Sequence, residues 1–394
     1  MIEKFIYMFI IGNTNKQPKG SETFPIIKGG LCMKKKILAA CLAAAMVATM
    51  LGGCGSKPAD APADDKQEAP ADEPADEPAD EPADEPADDA ADEPADDTAS
   101  GELLPGGGSK ILYCITPSTS NVYFKTVQDI ATEKGEELGY EVRCFSHDDD
   151  AATQLEMFEA AIADKAAAII CDNAGADASI EAIQKAYDAG IPTFLVDREI
   201  NQSGLAVAQL VADNAQGAAA IAEAWVEAME YKGKYAELLG LESDTNCQVR
   251  SENFHSVIDE YPDMEMVAQQ SANWDQTEGY EKTESILQSN PEITGIICGN
   301  DTMACGAVQA CIDAGRDDVK IIGVDGSDDA ANYIKSGNMV GTALQQIALI
   351  TQMAVEQADA YLNGTAPEQE KQLVPCVAIT ADNVDKLSSF VYTE

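Results

Sequence analysis

"IPTFLVDREINQ", residues 191–202, joins an unbroken apolar run to a charged pair: Phe194-Leu195-Val196 ends in Asp197 and Arg198. An apolar run without polar alternation, bounded by turn residues, reads as a strand covered on both faces, as in a parallel sheet between layers of helices. The residues just after such a strand stand at its carboxyl end, where open α/β sheets collect their ligands. The pattern repeats outward from this stretch. "KILYCIT", "EVRCFSH", "AAAIICD" and "LAVAQLVA" read as further strands, as do "YAELLGLE", "MEMVAQQ", "GIICGN", "VKIIGVD" and "MVGTALQ". Helical stretches lie between them at 121–138, 151–164, 178–189, 214–230, 246–260, 276–289, 301–314 and 347–362. Gly139, Gly190, Gly315 and Gly337 stand where a left-handed cap ends a helix. Ten strands over about 285 residues exceed one tidy sheet. The expected fold class is therefore α/β, with two similar lobes, each a parallel sheet flanked by helices.

Applied to the other strands, the carboxyl-end rule collects one kind of chemistry. "TPSTSNVYF" comes after the first strand, "SDTNCQVRSENF" after "YAELLGLE", and "SANWDQ" after "MEMVAQQ". Asn300-Asp301, Asp325-Gly326 and Gln345-Gln346 come after the last three strands. Carboxylates and amide oxygens accept from hydroxyls, Arg and amide nitrogens donate, and aromatic faces cover apolar C–H surface. Such a set suits a polyhydroxyl ligand. Asn121, Asn300 and Asp325 also stand where a helix cap or a turn would use them locally.

Composition excludes other partners. The chain of 394 residues carries a formal charge of −44, which repels nucleic acid. Nineteen Asp and Glu against two Lys lie between Gly55 and Gly108, and residues 109–394 keep a charge of about −32, so the folded part is acidic in its own right. Of eleven cysteines none forms C-x-x-C, and Cys114, Cys171 and Cys298 sit inside apolar runs as small core residues. Two histidines, His147 and His255, leave little material for a zinc site or a His-based triad. Dinucleotide, P-loop, zincin and nucleophile-elbow motifs are missing, so neither an enzyme nor a cofactor is expected.

"MKKKILAACLAAAMVATMLGGCGS", from Met33, has the basic start, short apolar stretch and small-residue end of an export signal. Residues 33–53 are read as that signal and residues 1–32 as an upstream extension assigned in error, since Lys28-Gly29-Gly30 matches a translated ribosome-binding site. Leu51-Gly52-Gly53-Cys54 resembles the bacterial lipobox, which implies lipid on Cys54. Residues 54–108 continue as "ADEPADEPADEP", where proline and like charge keep the chain extended. At about 3.1 Å per residue this tether reaches on the order of 150 Å. The folded part would stand outside the cell's cytoplasmic membrane, anchored by lipid.

From about 109 to 390 the chain resembles the ribose-type periplasmic sugar-binding proteins of ABC transporters. "SNVYFKTVQDIATEKGEELGY" is similar to that family's first helix and aligns Asn121, Tyr123 and Phe124 with sugar-contacting residues. "FLVDRE" gives Asp197 and Arg198, "CQVRSENF" gives Arg250, and "NWDQTEGY" gives Trp274. "CGNDTMACGA", "IIGVDGSDDA" and "GTALQQ" give Asn300, Asp325 and Gln345. Departures at Pro117, Asn253, Trp274 and Val324 imply a reshaped pocket, and the calcium loop of the galactose-binding relatives has no counterpart, so no metal is expected. The resemblance implies the type I periplasmic binding protein architecture, with an N-terminal lobe of 109–212 and 346–378 and a C-terminal lobe of 213–345 and 379–394. Three crossovers near 212–214, 345–347 and 377–380 would form the hinge, and Asp197 and Arg198 would satisfy each other and the sugar in the cleft. The implied function is capture of a monosaccharide or polyol by hinge closure, by a monomer, and delivery to a membrane permease with its ATPase. Presentation to a chemoreceptor or sensor kinase is the alternative. A DNA-binding repressor of this fold would need a basic helix-turn-helix ahead of residue 109, which the acidic linker and export signal oppose. A sugar-cleaving enzyme would need two carboxylates flanking one bond, for which Asp197 and Asp325 are the candidates.

Overall fold

A computed structural model describes residues 103–393. The first lobe opens as β1 (Ile111–Thr116), α1 (Val122–Glu137), β2 (Glu141–Ser146), α2 (Ala151–Ala163), β3 (Ala168–Cys171), α3 (Ile180–Asp188), β4 (Thr193–Val196) and β5 (Ala208–Ala212). The second lobe continues as α4 (Asn214–Ala228), β6 (Gly233–Leu239), α5 (Thr245–Ile258), β7 (Met264–Ser271), α6 (Gln276–Ser289), β8 (Ile293–Cys298), α7 (Asp301–Asp313), β9 (Lys320–Asp325), α8 (Asp328–Ser336) and β10 (Gly341–Leu344). The chain then returns to the first lobe as α9 (Ile347–Leu362) and β11 (Lys371–Val374), and ends in the second as β12 (Val377–Thr380) and the hairpin β13 (Leu387–Ser388) and β14 (Val391–Tyr392).

One six-stranded sheet runs β11-β5-β4-β3-β1-β2 and the other β12-β10-β9-β8-β6-β7, so both lobes share one winding. All pairings are parallel except β10 with β12 and the terminal hairpin. The apolar run Phe194-Leu195-Val196 lies in a doubly covered strand. Phe194 and Val196 join the core beneath α1 and α9, while Leu195 joins Ile183 of α3 and Phe158 of α2 on the other face. Full burial of each such side chain stabilises the fold by about 1.5–3 kcal/mol. In the second lobe Trp225 and Ile221 of α4 and Phe254 of α5 pack on Tyr235, Ile297 and Ile322. Gly139, Gly190, Gly315 and Gly337 end their helices with φ between 67° and 86°, a conformation that costs L-residues and suits glycine.

Two boundaries differ from those expected. Residues 103–108, assigned to the tether, pack on the first lobe: Gly106 N–H donates to the Gly190 carbonyl and Leu104 N–H to the Tyr361 hydroxyl. The third crossing lies at Pro375–Cys376, not 377–380, because β12 pairs with β10 in the second sheet. The other crossings fall at Asp213 and Gln345–Gln346. Met33, Cys54 and the repeats lie outside the described residues. Eight described cysteines are free thiols, and all but Cys144 are buried.

A buried carboxylate in the second lobe gives this fold a pH dependence. Glu237 is 1% exposed and meets His255 Nε2 at 3.2 Å, while Asp259 meets Nδ1 at 3.1 Å. The bond to Glu237, opposed by burial and seconded by Asp259, holds the imidazole pKa up at about 9. A folded pKa above the unfolded 6.5 means stability that is whole below pH 6.5 and lost as pH rises through 9, by about 3 kcal/mol. Urea unfolding from pH 6 to pH 10 should show this loss in the wild type, and His255→Gln should flatten it.

Candidate functional site

The ten residues that the resemblance singles out reach one place. Asn121, Tyr123, Phe124, Asp197, Arg198, Arg250, Trp274, Asn300, Asp325 and Gln345 line a single cavity, joined by Asp244.

Asp197 comes directly after β4 with φ 63°, and Arg198 N–H donates to the Val196 carbonyl across it at 2.7 Å. This three-residue turn is rare and strained for an L-residue. It sends the two charged side chains to different partners, which corrects the expectation that they satisfy each other. Asp197 Oδ1 accepts from the Tyr123 hydroxyl at 2.8 Å. Arg198 Nη1 donates to Asp149 Oδ1 at 2.6 Å and to the Asn173 carbonyl at 3.0 Å. Its Nε lies 2.9 Å from Asp244 Oδ2 and 3.5 Å from Asp172 Oδ1, and its guanidinium covers the Phe124 ring at 5.4 Å. Burial works against the charge, but Asp244, Asp172 and Asp149 hold Arg198 firmly protonated. His147 braces this cluster. Its Nδ1 accepts from the Asp149 N–H, which leaves Nε2 to donate to the Asp172 carbonyl, and burial lowers its pKa.

The second lobe contributes from the ends of β6 through β10. Arg250 on α5 donates from Nε to Asn214 Oδ1 and from Nη1 to the Gly299 carbonyl, both at 2.8 Å. Asn214 donates to Asn246 Oδ1, and Asn246 reaches the Asp197 carbonyl at 3.2 Å. Arg250 also lies 3.7 Å from Asp325 Oδ1 and 5.2 Å from the Trp274 ring. Trp274 seats in a slot that two glycines leave open: a Cβ on Gly240 would stand 2.0 Å from the indole and one on Gly299 2.8 Å from it. Gln345 Nε2 donates to Asp325 Oδ1 at 2.9 Å. Asn121 and Asn300 cap α1 and α7 through their oxygens, accepting from Tyr123 and Met303 N–H. The cap takes the oxygen of each and leaves its amide NH₂ free of that bond, with a donor to spare at the cavity wall.

Electrostatics favour a neutral, hydroxyl-rich guest. Burial raises Asp197 and lifts Asp325 well above its usual range, with Arg250 opposing in each case. Hydroxyl groups can donate to these carboxylates without adding charge, whereas an anion would meet more carboxylates than guanidiniums. Trp274 Nε1 and Gln345 Oε1 are buried without a protein partner, a donor and an acceptor at the cavity wall. Among the described residues no group of three or more His, Cys, Asp and Glu is placed to hold a metal.

The sequence reading missed Asp149, Asp172, Asn173, Asn214, Asp244 and Asn246. Asp172 and Asn173 follow β3 directly, so the carboxyl-end rule would have found them had it been applied to that strand. Asp244 and Asn246 lay within a segment from which only Arg250 was singled out.

Comparison with known proteins gives the family. Residues 112–366 match the model of the periplasmic binding protein domain. The chain is 53% identical over 282 residues to a D-apiose import binding protein of Actinobacillus succinogenes, covering 71% of this chain and 91% of that one. It is 48% identical over 283 residues to a D-apiose import binding protein of Paraburkholderia graminis, covering 72% and 91%. A solved solute-binding protein of an ABC transporter from Actinobacillus succinogenes, with bound D-allose, superposes with a TM-score of 0.66 at 31% identity, covering 70% and 99%. The two-lobed fold, the matched domain and these relatives agree: the chain belongs to the periplasmic binding protein domain family, as a ribose-type sugar-binding member and not as an enzyme.

Proposed function

We propose that this protein is an extracytoplasmic binding lipoprotein that captures a small neutral monosaccharide, D-apiose first among the candidates, and delivers it to the permease of an ABC importer. One observation carries the reading: the cavity is walled from both lobes, by Tyr123, Phe124 and Asp197 on one side and by Arg250, Trp274 and Asp325 on the other. A ligand touching both walls favours the lobes-together form by its differential contacts. D-apiose leads the candidates because both D-apiose import binding proteins cover 91% of their own length in the match, at 53% and 48% identity. The protein acts as a monomer, with lipid on Cys54 and the acidic repeats as its tether, which keeps the binding lobes near the permease. Cys54→Ser should release it from the membrane fraction.

Thermal unfolding of the full chain with D-apiose, D-ribose, D-allose, xylitol and myo-inositol tests the ligand. At a hundredfold excess over Kd, the true ligand should raise Tm on the order of 5–10 °C. A flat response to all five would refute the sugar reading.

A further inference from the structure

The C-terminal hairpin has a tip that its local chemistry does not explain. Two residues, Ser389 and Phe390, join β13 to β14, with φ of 50° and 60°. A two-residue turn with both φ values positive favours Asn-Gly, because other L-residues enter that region at a cost. A large aromatic side chain at such a tip would ordinarily stand in water. Phe390 is instead 3% exposed.

Its partner explains the burial. The Phe390 ring meets Tyr123 edge-on, with centroids 5.5 Å apart and planes at 86°. Tyr123 belongs to the first lobe. The hairpin belongs to the second, since Ser389 N–H donates to Asp328 Oδ1 of α8 at 2.9 Å and the Leu387 side chain is buried in the core. Phe124 meets the same Tyr123 ring edge-on at 5.6 Å, so the ring is held by one aromatic from each lobe. Its hydroxyl carries Asp197 at 2.8 Å. Phe390 also lines an adjoining cavity that shares Asn121, Tyr123 and Asp325 with the ligand cavity.

We propose that Phe390 is a positioning residue of the ligand site: the C-terminal hairpin carries it out of the second lobe as a clasp that fixes the Tyr123 ring and, through the Tyr123 hydroxyl, the Asp197 carboxylate. The turn strain is retained because the inserted ring offsets it. Its effect on affinity rests on the sugar-binding reading; its effect on the Tyr123 segment does not.

Two measurements on the full-length chain separate these. Calorimetric titration with D-apiose, D-ribose, D-allose and myo-inositol compares wild type, Phe390→Ala and Phe390→Leu. Whichever solute the wild type binds should bind Phe390→Ala roughly three- to tenfold more weakly, and Phe390→Leu should recover part of the loss. In a Tyr123→Phe background, where the hydroxyl link to Asp197 is already gone, Phe390→Ala should add much less. Hydrogen exchange of the same proteins without solute should speed up at 119–126 and 196–200 in Phe390→Ala and stay unchanged at 168–171 and 293–298. Wild-type affinity together with unchanged exchange at 119–126 overturns the clasp. If the wild type binds none of the four solutes, the sugar reading fails and exchange alone decides the clasp.

Discussion

Arg250→Ala should reduce solute affinity by at least a hundredfold and lower the stability of the fold by about 3–5 kcal/mol. Arg250 is 3% exposed, and its guanidinium opposes the raised pKa values of both Asp197 and Asp325, for Asp197 together with Arg198. Truncation leaves those carboxylates buried without it, and it removes the donor to Asn214 that leads through Asn246 to the Asp197 backbone. The defect should depend on pH in a defined direction. A carboxyl whose folded pKa exceeds its unfolded value gives stability that is present at low pH and lost as pH rises through the folded value. Without Arg250 both values rise further, so the variant's deficit in Tm should be largest near pH 8 and shrink toward pH 5. Arg250→Lys should restore charge but not the two-point hold on Asn214 and Gly299. Calorimetry for affinity and thermal unfolding at pH 5 and pH 8 check the result; a deficit independent of pH would show that Arg250 acts by packing alone.

Gly240→Ala should impair binding without touching a hydrogen bond. A methyl group there would stand 2.0–2.2 Å from three carbons of the Trp274 ring. An overlap this large exceeds what a shift of a few tenths of an ångström relieves, so the indole must leave its slot. Overpacking of this kind costs about 1–3 kcal/mol, and loss of the aromatic wall should weaken binding roughly ten- to a hundredfold. Trp274→Ala should behave similarly, and the double variant should be little worse than either single one. In a Trp225→Phe background the remaining emission reports Trp274, and Gly240→Ala should shift it to the red as the ring meets water. Wild-type affinity and unshifted emission in Gly240→Ala would exclude the slot as the device that aims Trp274.

These two residues differ in how plainly the chain announces them. Arg250 was legible because its segment matches a family motif and lies after a strand. The slot was not, because a glycine after Leu239 looks like any turn until a ring from residue 274 lies on it. The same division runs through the fold. Apolar runs without alternation disclosed the central strands, and glycines at the helix ends disclosed the stops, because both signals are set by residues within about ten positions of one another. β11 escaped notice: Lys371-Gln372-Leu373-Val374 is an edge strand, half in water, and lacks the buried pattern.

By itself, then, the sequence determined the α/β alternation, the two lobes and the loops that line the cavity, since each depends on local pattern and on which end of a strand a loop leaves. The ten named side chains came from the resemblance to the ribose-type family. Only the tertiary structure decided the partners. Asp197 and Arg198 are neighbours in the chain, yet one holds Tyr123 and the other holds Asp149 and Asp244, because a turn with φ 63° parts them. Asp244 meets Arg198 from the opposite lobe, and Phe390 meets Tyr123 from a hairpin 267 residues away. Such pairings are set by how two sheets close on each other, a global geometry on which the spacing of residues along the chain places no constraint.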